Sequence, residues 1–317
     1  MVQNEIRLSI IIPFYNPGEL LGICLKSILK EIPINAEILL IDDGSTQKYN
    51  IQNDNKIRLL KNDENMGVSF SRNLGVKEAK GDYIMFVDAD DIMKEGWGHH
   101  IDEIETNEDI IYYSKNKLVD NRDTILKQIL GINGDGIYLA GPFSKLYKRK
   151  FIERNKLRFK EDLINGEDML FNVEALLASK QIKVVNEGIY LYRNNYNSST
   201  KSFNEKIIKN DMIFSKYLQS ILPKKHYKLT HLLGINGLYI VLERIANLSH
   251  AKAMQKYGEI QKDFYLKFKD EIGTLDLQKR MAIRAFMKNQ FTLSYCIIRI
   301  RKIASKISKK KVIFTEI

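Results

Sequence analysis

Residues 81–91 read GDYIMFVDADD, the segment of the chain that is most informative about the fold. Residues 83–87 form an apolar run of strand length, and the Gly-Asp pair before them is typical of a turn. Three acids, Asp88, Asp90 and Asp91, follow this run. Because side chains alternate along an extended chain, Asp88 and Asp90 are expected on the same face. Acids at the carboxyl end of a buried strand predict a Mg²⁺ or Mn²⁺ site, and the alternative is a solvated turn that caps the next helix.

The preceding residues alternate between strand and helix patterns. The apolar runs 8–13, 37–41 and 57–60 predict strands, and residues 19–31 and 65–79 predict helices. This alternation predicts an α/β fold with a doubly wound, mostly parallel sheet. Asp43, Asp88 and Asp90 all fall at the C-terminal ends of predicted strands, so these acids are expected at the sheet edge where ligands bind.

Four motifs in this order resemble a family 2 glycosyltransferase of GT-A fold, of the inverting, bacterial surface-polysaccharide type. They are IIPFYN at 11–16, IDDGS at 41–45, NMGVSFSRNLG at 65–75 and YIMFVDADD at 83–91. The resemblance is close over residues 6–95 and looser to about residue 200. It implies a nucleotide-sugar donor, a divalent metal (Mn²⁺ or Mg²⁺) and inversion at the anomeric carbon.

The resemblance also assigns donor-site residues. Tyr15 would lie against the nucleobase of the donor, and Asp43 would accept a hydrogen bond from the N3–H of uracil. Arg72 would contact the nucleobase or the diphosphate. Without the resemblance, Tyr15 could simply pack on a loop and Arg72 could be a surface charge. The nucleotide-sugar-binding set is Pro13, Tyr15, Asp43, Arg72 and Asp88, and the metal-binding pair is Asp90 with Asp88.

Residues 165–171, NGEDMLF, match the segment that supplies the general base in the family. An attacking hydroxyl must lose a proton, so a carboxylate has to lie within hydrogen-bond reach. The resemblance assigns Asp168 as the catalytic base and Glu167 as its neighbour that orients it or the acceptor. The alternative is an acidic pair that caps a helix. Arg193, in a later segment similar to the family, reaches either the diphosphate or only solvent.

Composition sets limits on the class of protein. The chain has 317 residues and a net charge of +11, but residues 201–317 alone carry 24 Lys and Arg against 9 Asp and Glu. Two distant cysteines suggest a reducing, cytoplasmic compartment, and neither a signal peptide nor a membrane span is expected. We predict a GT-A domain over residues 1–203 and a small C-terminal helical domain over 204–317. The polar stretch 115–136 is interpreted as a loop over the acceptor.

Residues 291–311 predict a basic amphipathic helix. Leu293, Ile297, Ile300, Ile303, Ala304 and Ile307 share one stripe, and Arg299, Lys302, Lys306, Lys309 and Lys310 lie across from it. Such a helix is typical of peripheral binding to an anionic membrane surface, here the inner face of the cell membrane. The alternative is a helix packed on the protein with a solvated basic face. Few aromatic residues are interleaved with the basic ones, so nucleic acid is not an expected partner.

The resemblance, together with these features, predicts a metal-dependent hexosyltransferase. It would move a sugar from a UDP-sugar to a hydroxyl of a glycan or a polyprenyl-diphosphate-linked saccharide, and the resemblance alone implies a role in capsule, lipopolysaccharide or exopolysaccharide assembly. The alternatives are the same chemistry with a dTDP- or GDP-sugar, and a non-catalytic nucleotide-sugar- or glycan-binding module or membrane scaffold on the same fold. An intact candidate base argues against a binding module.

Overall fold

The computed structural model describes residues 7–102, 107–116, 118–132, 139–194, 203–204, 206–308 and 314–317. The chain forms two compact units. The first comprises Met1–Asp162, Glu167–Asn194 and Val312–Ile317, and the second comprises Leu163–Gly166 and Asn195–Lys311. Residues 314–317 thus belong to the first unit, although the predicted division assigned them to the helical domain. Separate folding of residues 1–203 and 204–317 stays a prediction.

The first unit contains a mostly parallel sheet, which confirms the predicted α/β architecture. Among the described residues seven strands form it: β1 (Leu8–Phe14), β2 (Ala36–Asp42), β3 (Ile57–Lys61), β4 (Tyr83–Phe86), β6 (Ile110–Tyr113), β7 (Lys145–Lys148) and β8 (Ile182–Val185). Their order in the sheet is β3-β2-β1-β4-β7-β6-β8. β7 is antiparallel to both of its neighbours, and the other pairs are parallel.

Helices cover both faces of this sheet, which is why β1, β2 and β4 are buried along their whole length. In one helix Gly75 packs directly on β1, where an added Cβ would lie 2.4 Å from the Ile11 side chain. The helices are α1 (Leu20–Leu29), α2 (Val68–Glu78), α3 (Trp97–Asp102), α4 (Arg122–Ile129), α5 (Arg149–Arg154) and α6 (Glu167–Ala178).

The first unit also contains a second, three-stranded sheet. β9 (Tyr190–Arg193) lies between β5 (Ile92–Met93) and β10 (Phe314–Glu316), and both pairings are antiparallel. β5 begins directly after Asp91, the last residue of the DADD motif, so this small sheet is built directly on the acidic segment. The sequence did not predict β5 or β10, because each is only two or three residues long and depends on its partner.

The second unit is helical, as expected for the C-terminal region. Its core is formed by apolar side chains centred on Ile235, Leu242 and Ile283, which are fully buried. No described helix combines the length and the apolar character needed to cross a membrane. The helices are α7 (Lys206–Ile221), α8 (Tyr227–Ile245), α9 (His250–Glu259), α10 (Lys262–Leu266), α11 (Leu277–Met287) and α12 (Phe291–Ser308).

The interpretation of residues 115–136 as a loop was wrong for its central part. Residues 122–129 form α4, whose N-cap Asn121 accepts the backbone N–H of Thr124. An asparagine N-cap and four buried residues in the helix explain why this polar stretch is ordered. Residues 117 and 133–136 of that stretch lie outside the described residues.

Candidate active site

The acids predicted at strand ends do gather at one sheet edge. β1 pairs in parallel with both β2 and β4, so the three carboxyl ends point the same way. Asp43 follows β2, and Asp88 and Asp90 follow β4. Pro13 lies buried inside β1, opposite Ile41 of β2. This edge is where an open α/β sheet binds its ligands.

Arg72 of α2 joins the acids of this edge to those of α6. Its Nη2 lies 2.9 Å from Asp88 Oδ1, and its Nη1 donates to Asp168 Oδ1 and lies 3.6 Å from Glu167 Oε1. The two aspartates are 80 positions apart in the sequence, yet they share one guanidinium. The structure therefore brings the predicted donor-side acid and the predicted base to the same cation.

The Arg72 guanidinium is held in a nearly dry position. Its side chain is 4% exposed, and Cζ lies 5.2 Å from the centre of the Phe159 ring. Burial lowers the pKa of Arg72, but Asp168 and Asp88 raise it above its ordinary value, so the charge is kept. Nε is buried and has no hydrogen-bond partner within the described part of the chain. Predicted direct contact of Arg72 with the base or the diphosphate stays a prediction.

Asp168 and Glu167 open α6. Gly166 precedes them with φ +87°, a backbone conformation that favours glycine. The buried Asn172 side chain donates to the Asp168 carbonyl, which fixes this first turn. Burial raises the pKa of the Asp168 carboxyl, Arg72 opposes that increase, and the charge of Glu167 adds to it.

The Asp168 side chain is nevertheless 27% exposed, so a ligand can reach it. Its Oδ1 is used by Arg72, and Oδ2 has no hydrogen-bond partner among the residues that the structure describes. A carboxylate with one oxygen anchored, the other available and a raised pKa is suited to accept a proton near neutral pH.

The acids of the DADD motif have different surroundings. Asp91 is 1% exposed and accepts from the Tyr190 hydroxyl at 2.7 Å and from the Arg193 backbone N–H at 2.6 Å. Burial and the charge of Asp88 raise the pKa of Asp91 to about 8. Asp91 thus holds β9 and does not cap a helix. No sequence signal identifies this role, because Tyr190 lies 99 positions away.

Asp90 and Asp88 remain accessible, and their surroundings fit a cation. Burial raises the pKa of the Asp90 carboxyl, and the nearby charge of Asp88 raises it further. A bound cation would stabilise the ionised form and so oppose this increase. In residues 7–102 and the other described ranges, no three His, Cys, Asp or Glu side chains converge to form a complete metal site. A Mg²⁺ or Mn²⁺ ion here would therefore need further oxygen ligands from a substrate or from water.

Asp43 has one acceptor position left for a ligand. It is 4% exposed. Its Oδ1 accepts from Asn62 Nδ2 at 2.8 Å and from the Met66 N–H at 3.0 Å, and its Oδ2 accepts from the Gly67 N–H at 2.9 Å. A carboxylate offers about four acceptor positions, so a fourth donor can still bind. Asp43 also anchors the start of α2, a structural duty that the sequence did not reveal.

Tyr15 is presented on the surface beside this edge. Its side chain is 47% exposed. The next residue, Asn16, accepts backbone N–H groups of Thr46 and Gln47, both at 2.9 Å, and so joins the loop after β1 to the loop after β2. Tyr15 is therefore available to stack on a flat ligand, and packing against its own loop does not bury it.

The sequence of this chain is similar to those of known proteins. The model of the family described as "Glycosyl transferase family 2" matches residues 9–176. Bacillus subtilis EpsJ, an uncharacterized glycosyltransferase, is 31% identical over 216 residues, which cover 61% of this chain and 62% of EpsJ. Staphylococcus aureus TarP, a poly(ribitol-phosphate) β-N-acetylglucosaminyltransferase, is 28% identical over 61% of this chain and 64% of TarP. The match thus spans less than two thirds of either relative.

Solved structures share the fold over nearly the whole chain. S. aureus TarS residues 1–349 in complex with UDP-GlcNAc align with a TM-score of 0.65 at 18% identity, over 94% of this chain and 92% of that one. The mannosyltransferase PcManGT from Pyrobaculum calidifontis, in complex with GDP-Man and Mn²⁺, aligns with a TM-score of 0.51 at 13% identity, over 95% and 88%. The likeness to TarS confirms the predicted GT-A fold.

Proposed function

The chain belongs to glycosyltransferase family 2, and from this premise we propose that it is an inverting, metal-dependent transferase that uses a UDP-sugar. The acceptor would be a hydroxyl of a glycan or of a lipid-linked saccharide in surface-polysaccharide assembly. One observation carries the proposal: Arg72 binds Asp88 and Asp168 at once, so a donor-side acid and a candidate base lie on either side of one cation.

The proposed reaction is a single displacement. The acceptor oxygen forms a bond to the anomeric carbon, the bond from that carbon to the diphosphate oxygen breaks, and UDP leaves with the electron pair. Asp168 Oδ2 takes the proton of the attacking hydroxyl, and Arg72 keeps the carboxylate in place through Oδ1. Glu167 adds negative charge beside it, which favours protonation of Asp168.

The donor would lie along the carboxyl edge of the sheet. Asp43 offers its remaining acceptor position to the uracil N3–H, and Tyr15 offers its exposed ring to the base. Asp88 and Asp90 would hold a Mn²⁺ or Mg²⁺ ion, which would supply positive charge to the leaving diphosphate. Arg193, next to Asp90, adds a second cation at this place.

A nucleotide panel tests the donor. We would measure the thermal shift caused by UDP, dTDP, GDP and CDP, each with Mn²⁺ and with EDTA, because a ligand that binds only the folded state raises its melting temperature. UDP with Mn²⁺ is expected to give the largest shift. A larger shift with GDP would move the donor to a GDP-sugar. If UDP binds, but no UDP is released from a UDP-sugar when saccharide acceptors are added, a non-catalytic binding module is favoured.

We also propose that α12 binds an anionic membrane surface peripherally. One face of α12 packs within the helical unit, where Ser294 and Ile298 are fully buried. Leu293, Ile300 and Ile303 remain 51%, 65% and 58% exposed. The buried face therefore uses Ile298, which the predicted stripe did not include, while part of that stripe stays available. Lys309 and Lys310 lie outside the described residues, as do the side chains of Lys306 and Ile307.

Vesicle binding tests this surface. With vesicles of equal parts phosphatidylglycerol and phosphatidylcholine, the pair Ile300→Gln and Ile303→Gln should reduce co-sedimentation, and added salt should weaken binding of the wild type. Ile34→Gln is the matched control, because Ile34 is 83% exposed but lies in the first unit. Equal loss with the control variant, or no loss with the pair, would contradict the proposal.

A further inference from the structure

β10 lies against the strand that carries Arg193. Phe314 pairs with Arg193 and Glu316 pairs with Leu191 in the β10–β9 ladder. Glu316 also accepts from Lys94 at 2.6 Å and from Lys115 at 3.2 Å. The next residue, Ile317, is 7% exposed and donates its N–H to the Tyr190 carbonyl. The segment 314–317 is thus fixed to β9 by backbone bonds, and ion pairs to Lys94 and Lys115 and a buried side chain hold it further.

β9 in turn holds the acidic segment. The Tyr190 hydroxyl accepts the Asp88 N–H at 3.0 Å and donates to Asp91 Oδ2 at 2.7 Å. The Arg193 side chain donates from Nε to the Asp90 carbonyl at 2.7 Å. Each residue of the proposed metal pair therefore has its backbone bonded to a side chain of β9.

The Arg193 guanidinium is held on two sides. Nε is bonded to Asp90, and Cζ lies 4.5 Å from the centre of the Phe314 ring. Within the described ranges, the two terminal nitrogens have no hydrogen-bond partner. A planar cation with one face covered by a ring and its outer edge unoccupied is prepared to bind an anion.

We propose that Phe314 is a positioning residue, which holds the Arg193 guanidinium ready for the diphosphate of the donor. This inference rests on the proposed function. Arginine has many rotamers, and a side chain already ordered by the ring loses less entropy when the ligand binds. The sequence alone gives no hint of this pairing, because Phe314 lies 121 positions after Arg193.

Calorimetric titration of the full chain with UDP in the presence of Mn²⁺ tests the proposal. Phe314→Leu keeps an apolar strand residue but removes the aromatic face, and we expect about 3- to 10-fold weaker UDP binding. Phe314→Tyr should keep the wild-type affinity. Thr315→Ser is the control, since Thr315 is exposed and points to the other face of β10, and serine keeps the hydroxyl that accepts from Asn194 Nδ2. It should leave UDP affinity unchanged.

A double-mutant cycle separates positioning from mere support of the fold. Arg193→Met should weaken UDP binding, and Phe314→Leu should then have no further effect in the Arg193→Met chain. Fully additive losses, or wild-type affinity in Phe314→Leu, would overturn the inference. A wild-type chain that binds no UDP at all would instead contradict the proposed function.

Discussion

Each unit of this protein contains partly buried carboxylates next to an arginine, but the two clusters differ in the partners that surround the carboxylates. In the first unit, Asp88 and Asp168 bind Arg72 while their side chains stay 26% and 27% exposed. In the helical unit, Asp211 of α7 accepts from the Tyr265 hydroxyl at 2.7 Å, close to the charge of Arg244. Gly237 packs so tightly against Asp211 that an added Cβ would lie 2.2 Å from Oδ1.

The difference between the clusters distinguishes a site that can react from a site that stabilises the fold. The Asp211 cluster joins α7, α8 and α10 and leaves no space for another group on that side. The Arg72 cluster has a partly exposed carboxylate at each end, and its buried Nε has no partner among the residues that the structure describes. A partly buried charge that can still change partners is able to bind a ligand or move a proton, whereas a carboxylate packed against a neighbouring helix and bonded to a tyrosine serves to hold the helices together.

The largest effect is expected from Asp168→Asn. This change keeps the shape of the side chain but removes the proton acceptor, so transfer should fall by about 10²- to 10⁴-fold. UDP affinity should stay close to the wild-type value. The measurement is single-turnover UDP release together with calorimetry. Asp263→Asn, at an exposed position of the helical unit, is the control. Transfer retained by Asp168→Asn would move the base to another residue.

Arg72→Met should destabilise the first unit. It leaves Asp88 and Asp168 without their shared cation, and breaking a buried pair costs about 3–5 kcal/mol. Since both carboxylates are partly exposed, the lower end of that range is expected, measured by urea unfolding. Arg154→Met is the control, because Arg154 is 63% exposed and its ion pair to Asp109 is long, at 3.6 Å.

A second substitution tests whether Asp168 is the charge that Arg72 compensates. Adding Asp168→Asn to Arg72→Met removes one of the uncompensated charges, so part of the stability should return while transfer stays lost. A double variant no more stable than Arg72→Met would mean that Asp168 is not the charge that Arg72 compensates.

The sequence predicted the strands that are buried on both faces, because continuous apolar runs such as β1 and β2 need no tertiary context to be identified. It missed β7, where Lys145 occupies a fully buried position. The Lys145 ammonium donates to the Gly141 carbonyl at 2.6 Å, and burial lowers its pKa to about 7. A buried lysine breaks the apolar pattern on which the prediction of strands depends.

The candidate site was predicted in its residue types but not in its connections. Arg72 and Asp168 were assigned to different parts of the reaction, and only the fold shows that they are bonded. Asp91 and Asp90 are adjacent in the sequence, but Asp91 is enclosed by β9 and Asp90 is not. Contacts between residues about 100 positions apart leave no local pattern, so a single sequence cannot reveal them.

The smallest effect that distinguishes the two clusters is the pH dependence of the helical unit. Burial raises the pKa of Asp211 to about 6, whereas an aspartate in an unfolded chain titrates near 4. The folded state therefore favours the protonated carboxyl. This stabilisation is fully present below about pH 4 and is lost as the pH rises through about 6, a change of up to about 3 kcal/mol.

Asp211→Asn tests that sign, because an amide stays neutral and still accepts from the Tyr265 hydroxyl. The variant and the wild type should melt at similar temperatures at pH 4, and the variant should become relatively more stable by pH 7. Tyr265→Phe removes a hydrogen bond that lowers the Asp211 pKa, so the loss of stability should extend to higher pH. Circular dichroism melts at each pH measure both effects. A constant difference between Asp211→Asn and the wild type from pH 4 to 7 would mean that Asp211 is as easily ionised as an exposed aspartate, and the contrast between the tightly packed Asp211 and the Arg72 cluster would fail.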